Sequence, residues 1–122
     1  MSETETYRRG SELRRQLLGD SYVERANKAT YADPVMKKFI DVATETVFGA
    51  LWTRPGLDLK TRTLVCVITD AATGRFPELA IHVRMALRQG CVGLSDVSQL
   101  FIQPIQIRRP SLLGIPDHET AA

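Results

Sequence analysis

Residues 53–90 read TRPGLDLKTRTLVCVITDAATGRFPELAIHVRMALRQG, and their punctuation decides the fold. Pro55 cannot donate a hydrogen bond and Gly56 tolerates turn dihedrals, so the chain breaks there, and Asp58 is placed to cap the helix that follows. That helix is predicted to run to about Thr73 and to stop at Gly74, and a second is predicted from about Pro77 to Gln89, closed by Gly90. Strand signals are few, and glycines and prolines sit between segments of helical length, so an all-α protein is expected. The middle of the first, TLVCVITDAA (63–72), is apolar on nearly all sides. A helix of that kind needs a central position or a subunit interface to avoid a large exposed patch.

Working outward, the same punctuation recurs. A short helix is predicted at about Glu12–Leu18, ended by Gly19. Asp33 caps another, with Pro34 at its first position, and Val35, Phe39, Val42, Ala43 and Val47 recur at spacings of three and four through to Leu51, the pattern of an amphipathic core helix. Beyond Gly90, a helix is predicted from near Leu94, with Ser95 as its cap, towards Ile107, with Pro104 kinking or shortening it. The tail RRPSLLGIPDHETAA (108–122) carries two prolines and a glycine and reads as irregular, docking through Leu112, Leu113 and Ile115. The expectation is a single domain over residues 1–122, a compact bundle of about five to six helices, with residues 1–8 and 117–122 flexible.

Sixteen basic against fourteen acidic residues leave a net charge of +2, too diluted for a nucleic-acid or polyanion footprint. The polar opening MSETETYRRG has no apolar core of a signal peptide, and no apolar run approaches the ~20 residues of a membrane span. The chain therefore reads as soluble and cytoplasmic, and Cys66 and Cys91 as reduced thiols. There is no Gly-rich phosphate loop, no metal-ligand spacing and no CxxC pair, and His118 stands in the tail without a neighbouring His or Cys. Metal and nucleotide chemistry are disfavoured, and no cofactor is expected.

The residues best suited to chemistry are Glu78 and His82, at i and i+4 on one helix face that Met85 and Gln89 continue. Leu79, Val83, Ala86 and Leu87 form a neighbouring apolar stripe, which puts the pair at the core edge. A carboxylate on one imidazole nitrogen fixes the tautomer and makes the other nitrogen a better base or donor. Spacing alone equally fits a plain surface Glu–His pair worth about 0.2 to 0.5 kcal/mol. Arg54 and Arg62 flank the Pro-Gly turn and Arg84 follows His82 by two; such cations hold carboxylates bidentately, or simply meet nearby acids such as Asp58. Trp52, the single tryptophan, walls a pocket or anchors the loop.

Taken together, RGSELRRQLLG (9–19), YVERA (22–26), LWTRPGLDLKTRTLV (51–65) and ELAIHVRMALRQG (78–90) resemble the carboxymuconolactone decarboxylase family of the alkylhydroperoxidase D-like superfamily, over roughly residues 8–103. The resemblance implies an all-helical fold assembling into an oligomeric ring, a hexamer or trimer, and a cofactor-free active site near Glu78 and His82. In the superfamily's peroxidase branch a CxxC pair precedes the histidine; here those positions are Arg75 and Glu78, so thiol peroxidase chemistry is not expected. Cys91 lies outside that motif and reads as a small apolar residue. The chain also departs from the decarboxylase pattern. Tyr22 stands where a histidine is usual, Phe48 replaces a tryptophan and Ala50 an acid, and the ending keeps only Gly114, Ile115 and Pro116 while adding Arg108 and Arg109. Tyr22 still offers a hydrogen bond, though with a reference pKa near 10 it is a poorer shuttle than histidine.

For such a decarboxylase the chemical demands are plain. Loss of carbon dioxide from a carbon vinylogous to a lactone carbonyl leaves a dienolate, so the site must hold carboxylates, stabilise charge on the carbonyl oxygen and return a proton to carbon. The resemblance assigns Arg54 and Arg62 to anionic groups of a small carboxylated lactone such as 4-carboxymuconolactone, His82 to donor or proton carrier and Glu78 to orienting it, with Trp52, Arg84 and Tyr22 as further substrate-binding candidates. Two other readings fit the same residues: a fold retuned for isomerisation, cyclisation or ring opening of another small acid, and a non-catalytic oligomeric binding protein. Aromatic catabolism is the expected setting of the first.

Overall fold

The computed structural model describes residues 3–93 and Asp96, and every regular element among them is helical. The predicted helix beyond Leu94 and the tail lie outside the described residues. The chain clusters into two compact units, Met1–Leu59 and Lys60–Ala122. No helix among the described residues is long and apolar enough to cross a membrane.

The first unit opens with helix α1, Glu5–Leu18, which starts well before the predicted Glu12 because Thr4 caps it, its hydroxyl accepting from the Tyr7 N–H. Residues 5–8, expected to be flexible, are its first turn. Gly19, at φ 90°, ends α1 and lets a new helix begin at once. That helix, α2 (Asp20–Lys28), is absent from the sequence-based expectation; it is nine residues long, with Val23 its one buried residue, and so offers only a short apolar pattern to read. Helix α3, Pro34–Ala43, begins as expected, with the Asp33 carboxylate accepting from the Val35 and Met36 N–H groups at 3.0 Å.

Beyond Ala43 the prediction of one continuous α-helix fails. Thr44–Leu51 is a π-helical segment, a rare form often found at functional positions, whose wider winding is closed by the Trp52 N–H donating to the Val47 carbonyl five residues back. It packs on α1, and there Gly10 and Gly49 meet backbone to backbone. A Cβ on Gly10 would collide with the Thr44 carbonyl oxygen, and one on Gly49 with the carbonyl oxygen of Thr6. Val47, predicted on the core stripe, is exposed in this segment.

The core face predicted for α3 is likewise corrected. Val35 is 74% exposed and Phe39 58%, and Val42 is exposed too, whereas Ile40 and Thr44 are buried. The helix carries two apolar stripes, and hydrophobicity alone does not say which one the chain uses. Thr44 tolerates burial because its hydroxyl donates to the Ile40 carbonyl at 2.7 Å.

The second unit contains α4 (Leu59–Thr73) and α5 (Phe76–Arg88), within a residue or so of their predicted bounds. Gly74, at φ 72°, makes the turn between them. Val67, Ala71, Leu79 and Ala86 form the buried apolar cluster of this unit, with Val83, Cys91 and Val92 packed against it. The helices run antiparallel, in a register marked by two polar clasps. The Gln89 amide donates to the Thr63 hydroxyl at 2.7 Å, and seven residues along each helix Asp70 meets His82. Between the clasps lie Val67 and Met85, both fully buried. The apolar run 63–72 thus buries a partly polar face, Thr63, Val67, Asp70 and Ala71, and leaves Val65 and Ile68 exposed.

Candidate functional site

Asp70 is the lone acid of an otherwise apolar stretch, and only 7% of its surface is exposed. A carboxylate buried to that degree needs a partner. Its Oδ2 lies 2.5 Å from His82 Nδ1. A carboxylate accepts and does not donate, so the shared proton sits on Nδ1 and Nε2 is the imidazole's remaining acceptor. His82 is partly open, with 24% of its side chain exposed. A half-buried imidazole, held from behind by a buried carboxylate and open on the other side, is the arrangement of a positioned proton carrier.

The carboxylate that meets His82 in the structure is therefore that of Asp70, on the neighbouring helix, rather than that of Glu78. Glu78 faces Arg75, whose Nη2 donates to it at 3.5 Å across an exposed surface, a pair of little energetic weight. The i,i+4 spacing puts Glu78 within reach of His82, but the first turn of α5 also offers it Arg75. Sequence reasoning misses Asp70 because it is 12 residues from His82 and on another helix. The available signal is an acid inside an apolar run, which has to be satisfied by something.

Cys66 lies one turn before Asp70 on α4 and is half-buried; burial, and then the Asp70 charge, push its thiol above the usual range. Arg62 continues this slowly turning stripe one turn further back and is partly buried. Arg84 is exposed and, two residues on from His82, points about 200° away around α5. Tyr22, Trp52 and Arg54 belong to the first unit. Tyr22 is half-buried on α2; Trp52 is buried at the end of the π segment, its ring centroid 6.5 Å from that of Phe48. The Arg54 N–H donates to the Leu51 carbonyl and its side chain is exposed. The two cysteines form no disulfide. Among the described residues no three His, Cys, Asp or Glu side chains gather as a metal ion requires.

Residues 37–93 match the model of the Carboxymuconolactone decarboxylase family. This stretch contains the π segment, the R-P-G turn and both helices of the His82 hairpin. Among characterised proteins, the chain is 31% identical over 90 residues to the 4-carboxymuconolactone decarboxylase of Acinetobacter baylyi, covering 74% of this chain and 66% of that protein. It is 34% identical over 85 residues to a nitrosuccinic acid decarboxylase of Metarhizium robertsii, covering 70% and 58%. The matched region spans less than two thirds of the length of either relative. No solved structure matches.

Proposed function

The chain belongs to the carboxymuconolactone decarboxylase family, and from that premise we propose that it decarboxylates a small enolisable carboxylic acid without a cofactor, with His82 as proton carrier and Asp70 as the residue that positions it. The observation that carries this reading is the buried Asp70 behind a partly open His82. The two relatives are named for different substrates, but the acids share a chemical feature. In each, loss of carbon dioxide leaves an electron pair on carbon that spreads onto oxygens, of a lactone carbonyl in one and of a nitro group in the other. The carbon–carboxyl bond breaks, carbon dioxide leaves, the pair moves to those oxygens, and a proton must then reach carbon.

In this scheme Nδ1–H of His82 is committed to Asp70, so Nε2 takes a proton from solvent and passes it to the carbanion equivalent. The imidazolium formed on the way is stabilised by the Asp70 carboxylate. Arg62, two turns before Asp70 on the same helix, is the proposed carboxylate anchor, as a guanidinium binds a carboxylate with two parallel hydrogen bonds. The exposed apolar faces of α3 (Val35, Phe39, Val42) and α4 (Val65, Ile68) support assembly of several copies, since such faces on a small chain favour burial.

The test is carbon dioxide release from carboxymuconolactone and from nitrosuccinic acid by the folded, purified protein. Turnover of either acid is expected, with His82→Ala lowering kcat by roughly 10²–10³-fold, the usual effect of removing a well-placed donor. Absence of turnover on both would sink the decarboxylase reading. A lactone or acid consumed without carbon dioxide would favour isomerisation or ring opening on the same fold.

A further inference from the structure

Arg14 is a buried cation that meets no carboxylate of the first unit in an ion pair among the described residues. It lies on α1 with 6% of its surface exposed. Its Nη1 donates to the Asn27 side-chain oxygen at 3.1 Å, and its guanidinium carbon stands 5.4 Å from the centre of the Tyr31 ring. Burial lowers its pKa from the ordinary value, yet a guanidinium stays charged at any physiological pH. Its basic neighbours are already engaged: Arg15 pairs with Glu24 at 2.8 Å and with Asp20, and Lys37 with Asp41. No carboxylate among the described residues forms an ion pair with Arg14.

The guanidinium lines a cavity of about 330 Å³ enclosed by α1, α2 and α3, whose other walls include Tyr7, Asn27, Tyr31, Lys37 and Asp41. No buried side-chain nitrogen or oxygen among the described residues lacks a partner. The N–H groups that Arg14 does not spend on Asn27 therefore face accessible space, and the cavity is the space it lines. Elsewhere in the cavity wall stand acceptors. Asp41 takes a bond from the Tyr7 hydroxyl at 3.1 Å and one from Lys37 at 3.4 Å, and a carboxylate has capacity for more. The lining thus combines one uncompensated buried cation with an acidic acceptor, inside a volume that fits a molecule of a few carbons.

We propose that this cavity binds a small carboxylate, held by the Arg14 fork, whose other end donates a hydrogen bond to Asp41. A hydroxy acid and an amino acid both have this chemistry. Every residue of the cavity lies in the first unit, whereas His82 and Asp70 lie in the second, so the inference does not rest on the decarboxylase reading.

The experiment titrates the protein with malate, aspartate and succinate while following the arginine Nε–Hε signals by NMR. A saturable shift of the Arg14 signal at roughly millimolar ligand is expected. Malate or aspartate should bind about tenfold more tightly than succinate, which has no donor for Asp41. Arg14→Lys keeps the charge and loses the fork, and should weaken all three by about tenfold or more; Asp41→Asn should abolish the preference for a donor-bearing acid. His82→Ala should change neither. Binding that leaves the Arg14 signal unmoved, survives Arg14→Lys in a folded sample or vanishes in His82→Ala overturns the proposal, as does the absence of saturable binding to wild type. Because the wild-type Arg14 signal is itself a readout, the outcome stands even if a variant fails to fold.

Discussion

An imidazole whose Nδ1–H is held by Asp70 has one nitrogen left for chemistry, and the tautomer is fixed by the carboxylate behind it. Asp70→Asn preserves shape but its amide can present N–H to the ring and invert the tautomer. The expected result is a fall in kcat of roughly 10²–10⁴-fold with KM nearly unchanged. A merely structural Asp70 would lower thermal stability and leave kcat of the folded variant nearly unchanged. Cys66 provides a second check at this scale. Burial and the Asp70 charge raise its thiol pKa, so less reactive thiolate is present at neutral pH. Iodoacetamide should label Cys66 more slowly than a free thiol at about pH 8, and Asp70→Asn should speed the labelling. The sign also bears on stability: with a folded pKa above the unfolded one, the thiol's contribution is present below the ordinary thiol range and fades as pH rises through the raised value.

Among the elements, the junction of α1 with the π segment depends on the absence of side chains. Gly10→Ala would drive a methyl group into the backbone at Thr44 and Gly49. Neither can yield as a flexible side chain would, so a loss of about 1–3 kcal/mol is expected in chemical denaturation. Glu12→Ala, on the exposed side of the same helix, is the control expected to be near neutral. Helix starts and stops are legible where a residue type has one job: Asp33 with Pro34, Gly74 and Gly90 all stand where the sequence places them. The π segment is not legible, because TETVFGAL has no Pro or other breaker to mark it, and its contact with α1 is made by residues 39 positions apart, Gly10 and Gly49. Helix α2 escapes notice because it buries little of itself.

For the whole molecule, the question of packing lies on the surface. Val35 and Phe39 on α3 are too exposed to add much to the first unit's own stability, so Phe39→Glu should leave the unfolding transition nearly unchanged. If assembly uses this face, the same change should lower the mass measured by light scattering, while a wild-type protein that is already monomeric would count against assembly. The sequence cannot assign this face, since an apolar stripe reads the same whether it meets the chain's own core or another copy. His82 is identifiable because helical spacing and family resemblance both point to it. Asp70 requires the fold, for only the hairpin brings it to the ring.

That hairpin has its two clasps in strict phase: residue numbers 63 with 89 and 70 with 82 give the same sum, as an antiparallel pair requires. One residue added to the turn at Gly74 would either slide both pairings or rotate α5 by about 100°, so the burial of Met85 and the Asp70–His82 contact would be lost together. The length of this turn is therefore under the same constraint as the chemistry, and variation in chain length should accumulate anywhere but there.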